Sequence, residues 1–416
     1  LMQSALMSRN GDQDMAKIML SPLTTEENPD ARACTMLSII HLRCDRETKK
    51  AEKAMKRAIA AATNGVPSAS RFDLYHDLAA WLVCRGLGDM ASFVLGVAAK
   101  EGKAGNDDAA NNLDDATIAW TATNMEREQR VKHLWLGGAT ALASGDLDRA
   151  EALLRAAVEV EEGCGPAWSV LGHVLARKST TGNSNAIDAF QTALPLLEAA
   201  QKTSDVLPTL PVAQLGQLYN SLGFLYLQQG PERNAGAAKE VYLRACRLSP
   251  TSTGWLGAGI AALELGKYAE AEDALAEANI LNNQNPQIWG YLALLCLQSA
   301  TPRVEEADQS LNQATRLGLG DPTLLERIGA SYAALGCYRQ AESTLRRATA
   351  SLDVDTSRKL LGDVMAAQNK FEAALQEYET VVGATTTSDA VRKEAIVGQN
   401  RMLEALGIGS KTAWKE

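Results

Sequence analysis

Trp255 recurs as Trp289, 34 residues on, and this period constrains the chain more than any other feature. The first copy reads TSTGWLGAGIAALELGKYAEAEDALAEANILNNQNP and the second QIWGYLALLCLQSATPRVEEADQSLNQATRLGLGD. Ala258-Gly259 returns as Leu292-Ala293. Ala271, Leu275 and Ala278 return as Ala307, Leu311 and Ala314, two residues late because of the SATPR segment. Trp255, Ala258, Gly259 and Ala262 share one face of a helix, at i, i+3, i+4 and i+7. Gly266 suits a left-handed helix end. Tyr268, Ala271, Ala274, Leu275 and Ala278 form a second helical face, which Asn282, Asn283 and Pro286 bring to a close. Small residues at Gly259, Ala271 and Ala278 admit close packing, with Trp255, Tyr268 and Leu275 filling the wedges. One such helix pair cannot bury its own apolar face, so the copies must stack.

This period, with its aromatic, its Leu-Gly pair and its Ala-x3-large-x2-Ala run, resembles the tetratricopeptide repeat. The resemblance implies an all-α fold: an α-solenoid, a right-handed superhelix of helix pairs closed by a C-terminal capping helix. Residues 1–30 read as a terminal helix and loop, and 31–101 as two degenerate pairs. Residues 102–129, containing GKAGNDDAANNLDDAT, read as an acidic insertion. Residues 130–384 carry seven firm repeats, marked in turn by Leu134, Trp168, Tyr219, Trp255, Trp289, Leu325 and Leu361. Pro195, Pro208 and Pro211 lengthen one connection, over Glu198–Gln214. Residues 385–416 read as the capping helix and a tail, polar on the outer side.

Composition narrows the function. The net charge of −9 argues against a general nucleic-acid binder. Seven scattered cysteines without a CxxC fit reduced thiols and no disulfide framework. No apolar run approaches a membrane span. A chain opening on Leu1, with no signal peptide, is expected to be part of a longer protein. His41, His76, His133 and His173 are far apart in sequence and lack metal-ligand spacing, so structural roles are expected. GIGSKT at 407–412 lacks the gap of a phosphate loop, and no Ser or Cys sits in a nucleophile elbow. The expectation is a non-enzyme with no cofactor and no metal.

In the tetratricopeptide family the first helices line the concave surface. Some members grip C-terminal carboxylates there with Lys and Asn on successive first helices. Here only Asn220 is suitably placed. Apolar residues stand in the groove positions instead: Phe224 and Leu227; Leu256, Ile260 and Leu263; Leu294 and Leu297. A helix apolar nearly all round has both faces covered or one awaiting a partner, such as an amphipathic helix or extended segment. Lys49, Lys50, Lys53, Lys56 and Arg57 form a basic helical face, which reads either as a solvated surface or as a contact for an acidic partner such as a microtubule.

The stretch YAEAEDALAEANILNNQNPQIWGYLALLCL, with WLGAGIAALELG before it, is similar to the tetratricopeptide part of a family of cilia- and flagella-associated proteins of motile axonemes. That resemblance implies an axonemal scaffold contributing to the assembly or regulation of ciliary beating, with other axonemal proteins as partners. The alternatives are a cytosolic adaptor or co-chaperone for the assembly of dynein or other complexes, or an RNA-processing or glycosyl-transfer assembly that carries a repeat domain.

Overall fold

Six of the seven firm repeats are built on a missing side chain. A Cβ added at Gly138 would lie 2.5 Å from Leu154, one at Gly172 2.4 Å from the Phe190 ring, and one at Gly259 2.8 Å from Leu275. Gly329 faces Leu345 and Gly362 faces Tyr378 in the same way. The glycine of the first helix lets the large residue of the second lie against bare backbone, which brings the two helices to close-packed distance.

The computed structural model describes residues 13–25, 30–43, 48–64, 75–76, 78–80, 82, 90–91, 93–97, 126–178, 183–203, 211–229, 231–351, 355–384 and 388–407. Among these, regular structure is helical throughout. The N-terminal helices are α1 (Gln13–Leu20), α2 (Ala31–Arg43) and α3 (Thr48–Thr63), followed by helical residues between 75 and 97. Then come α4 (Arg127–Ser144), α5 (Leu147–Val160), α6 (Gly165–Lys178), α7 (Ser184–Thr203), α8 (Pro211–Gln228), α9 (Pro231–Leu248), α10 (Ser252–Glu264) and α11 (Tyr268–Leu281). The series ends with α12 (Pro286–Gln298), α13 (Val304–Arg316), α14 (Pro322–Ala334), α15 (Tyr338–Ser351), α16 (Asp355–Ala367), α17 (Phe371–Gly383) and the capping helix α18 (Asp389–Ala405). From α4 onward consecutive helices form first–second pairs, the arrangement of an α-solenoid. The chain divides into two units, Leu1–Leu218 and Tyr219–Glu416, with the boundary inside α8.

Helix ends follow local chemistry. The Thr251 hydroxyl accepts from Gly254 N–H (3.2 Å), and the Asp321 carboxylate from Thr323 and Leu324 N–H (3.0 and 3.3 Å), with Pro322 opening α14. Three first helices, α4, α10 and α14, close on a left-handed glycine, Gly145, Gly266 and Gly336, with Gly266 at φ +68°. At the end of α16 Asn369 takes that conformation, at φ 61°, which asparagine tolerates better than branched residues.

Two expected boundaries move. The acidic insertion was to run to 129, but α4 begins at Arg127, where Glu128 and Lys132 pair at 3.2 Å one turn apart. The rest of that insertion, 102–125, lies outside the described residues. The long connection expected over Glu198–Gln214 is largely helical, because α7 continues through Pro195 to Thr203 and α8 starts at Pro211. Pro195 is exposed, so its ring costs a backbone bond without disturbing the core. Of the tail, 408–416 lies outside the described residues.

The first unit buries Cys34, Met55, Tyr75, Leu82, Val94, Leu95 and Leu136 in one cluster, joining the N-terminal pairs to α4. The second unit has a longer core, from Leu256 through Leu294, Leu325 and Tyr332 to Met402. Near its end the Tyr378 ring fills the gap between Gly362 and Gly398, and its hydroxyl donates to Asp363 Oδ1 at 2.6 Å.

Candidate functional site

The first helices of the second unit decide the groove question. Phe224 on α8 is 55% exposed, whereas Leu256 is 6%, Leu263 4%, Leu294 0% and Leu297 3% exposed. Leu227 and Ile260 are half-buried, packed at the margins of their clusters. The four leucines expected to face a partner are therefore core. The apolar all-round pattern of α10 and α12 has its other face covered by neighbouring repeats. Glycines make this possible: a Cβ at Gly257 would lie 2.3 Å from the Tyr242 ring, and one at Gly290 2.7 Å from Leu324. With no side chain there, α10 and α12 settle onto α9 and α14 closely enough to enclose the leucines.

Polar contacts run beside this core. Glu264 on α10 and Arg327 on α14 pair at 2.7 Å, reaching past the intervening first helix. Tyr291 on α12 is half-buried, and burial is the main cause that raises its phenol pKa. Further along, Glu326 accepts hydrogen bonds from Thr356 (2.9 Å) and from the buried Ser357. Nothing in the local sequence pairs residues 63 apart, so the Glu264–Arg327 bridge was not legible. Asn220 is half-buried, and its Oδ1 meets no hydrogen-bond partner among the described residues.

On α3, Lys49, Lys50, Lys53 and Lys56 are exposed and Arg57 is half-buried. Arg57 donates to the Thr24 carbonyl at 3.4 Å, and the Lys56 ammonium lies 5.7 Å from the centroid of the Phe93 ring. Two members of the face are thus tied to their own unit, and Lys49 and Lys53 point outward.

Sequence separation hid one cluster. His76 and His133, 57 residues apart, meet at Nε2···Nδ1 3.4 Å, and both are buried. Burial is the first cause that lowers their pKa values, to about 3 and about 4; the charges of His133 and Lys132 add to the effect on His76. Both rings are neutral at physiological pH. Among the described residues no group of three or more His, Cys, Asp or Glu could hold a metal ion. No described helix is long and apolar enough to cross a membrane.

Residues 166–396 match the family described as the cilia and flagella-associated protein 70 C-terminal domain. The chain belongs to that family. Among curated relatives, cilia- and flagella-associated protein 70 of Macaca fascicularis is 36% identical over 146 residues, 35% of this chain and 14% of that one. The Homo sapiens protein is 44% identical over 111 residues, 27% of this chain and 10% of that one. The matched stretches are thus a small part of those relatives' lengths. Among solved structures, a tetratricopeptide repeat protein from Parabacteroides merdae is 17% identical with a TM-score of 0.46, covering 65% of this chain and all of that one. Tetratricopeptide repeats are typically non-catalytic protein-interaction modules.

Proposed function

We propose that this chain is a non-enzymatic protein–protein interaction scaffold of the motile cilium, held at the axoneme and contributing to the assembly or regulation of beating. Membership of the cilia- and flagella-associated protein 70 family supports the ciliary assignment. The single observation that carries the contact reading is Phe224, a phenylalanine more than half exposed on a first helix, with half-buried Leu227 on the same helix and half-buried Ile260 on the next first helix. An exposed aromatic beside aliphatic neighbours is the kind of anchor that interfaces bury. The partner is another axonemal protein presenting an amphipathic helix or extended segment.

The test is fractionation of multiciliated cells expressing the tagged chain. Wild type is expected to stay with the detergent-insoluble axoneme, and Phe224→Asp to be released while keeping its helical circular dichroism. Recovery of wild type in the soluble cytosol would favour the adaptor reading and overturn the axonemal one. The outward-facing Lys49 and Lys53 supply a second contact, toward the acidic microtubule surface. Co-sedimentation with microtubules that survives Lys49→Glu/Lys53→Glu would remove it.

A further inference from the structure

We propose that the cleft around Trp168, in the first unit, is a docking site for a basic segment of a partner protein and seats an arginine or lysine side chain. The cleft has a volume of about 660 Å³. Its floor is apolar, from Val158 of α5, Trp168 and Leu171 of α6, and Leu196 of α7; Glu159 and Glu162 stand at its rim. The Trp168 ring is fixed in place, because its Nε1–H donates to the Glu162 carbonyl at 2.9 Å.

The charges at the cleft are unevenly satisfied. Arg155, also at the wall, is held by Glu151 at 2.8 Å, and Lys178 pairs with Asp148 (2.6 Å) and Glu151 (2.7 Å). Arg127 donates to the Val160 carbonyl at the end of α5 at 3.2 Å. Glu159 and Glu162 are exposed, and among the described residues neither is in an ion pair.

The fold does not require those carboxylates. Trp289 makes the same turn in the second unit, its Nε1–H donating to the Asn283 carbonyl at 2.8 Å, six residues upstream as in the first. There Ile280 stands where Glu159 stands, and Asn283 where Glu162 stands. The backbone arrangement forms without acid at either place, so Glu159 and Glu162 are free to serve recognition.

A fixed indole floor with two uncompensated carboxylates at its edge matches one side-chain type. Lysine and arginine lay an apolar stem along apolar surface and carry their charge at the tip. The guanidinium or ammonium group would gain charge-assisted hydrogen bonds at the rim and a cation–π contact with the indole. The net charge of −9 would favour encounter with such a partner. This reading does not depend on the ciliary assignment or on Phe224, which lies in the other unit.

The test uses the full chain labelled with ¹⁵N at tryptophan, with the Trp168 indole signal assigned from Trp168→Phe. The probe is the peptide acetyl-Ala-Arg-Leu-Ala-Arg-Leu-Ala-amide, titrated beside its counterpart with citrulline for arginine, which keeps the shape and removes the charge. The arginine peptide is expected to shift the Trp168 signal saturably. The citrulline peptide, and the arginine peptide against Glu159→Gln/Glu162→Gln, are each expected to bind about tenfold more weakly. The thermal melt of the double variant shows that it is folded. Three results would overturn the proposal: equal binding of the two peptides, unchanged binding to the double variant, or a Trp168 signal unmoved by the arginine peptide at millimolar concentration.

Discussion

Trp168 and Trp289 hold the same place in their repeats and make the same hydrogen bond, yet their surroundings differ in chemistry. Around Trp168 the rim is acidic and the floor lies open in a cleft. Around Trp289 the corresponding place is taken by Ile280, 77% exposed, and the first helices nearby are filled by Leu256, Leu294 and Leu297. Beneath the rings the packing differs too. Gly172 admits Phe190 in the first unit, whereas Ala293 stands in the glycine place of the second, opposite the smaller Leu311. The repeat therefore fixes the backbone and the tryptophan bond, and leaves the exposed positions and the size of the packed residue open to variation. His76, His133 and His173, whose pKa values burial lowers, all fall in the first unit and give it an acid response of its own.

The largest expected effect separates buried from exposed positions. Leu294→Ala should cost about 2–5 kcal/mol, because it empties a fully enclosed site, whereas Phe224→Asp should stay within about 0.5 kcal/mol. Denaturant unfolding of both variants checks this, and equal losses would erase the distinction between core and groove. Next comes the glycine step. Gly172→Ala should destabilise by about 1–3 kcal/mol, since its Cβ would fall 2.4 Å from the Phe190 ring. Gly172→Ala/Phe190→Leu should recover much of that loss, because it reproduces the Ala293–Leu311 combination.

Acid should act on the first unit through its histidines. His76 and His133 have folded values of about 3 and about 4, below the ordinary 6.5, so between those limits the unfolded chain binds the extra protons. Their contribution to stability is intact above about pH 6.5 and is lost as pH falls toward 4, by about 1.4 kcal/mol per histidine for each pH unit. Hydrogen exchange at pH 7 and pH 5 should show α4 losing protection before α10 and α12, and His133→Gln should narrow the difference. The smallest effect concerns two carboxylates in similar settings. Glu151 bonds Arg155 and Lys178, and Glu342 bonds Arg346 and Lys370. A hydrogen bond from the lysine is the first cause that lowers the pKa of each. Glu151→Gln and Glu342→Gln should each cost under about 1 kcal/mol, and less at high salt.

The sequence by itself determined the repeat, its helix pairs from Leu134 to Tyr378, the capping helix and the family resemblance. These depend on patterns within about forty residues: helical periodicity, a glycine opposite a large residue, caps and turn residues. Phe224 was legible as an apolar residue off its helix's core face. That Leu256, Leu263, Leu294 and Leu297 are enclosed was not, because periodicity shows that a face is apolar without showing which neighbour covers it. The His76–His133 contact, the Glu264–Arg327 bridge and the cleft at Trp168 likewise join residues from separate helices. Only the tertiary structure decided them, because the approach of one helix to the next depends on the combined shapes of several side chains, among them the absent ones at Gly257 and Gly290.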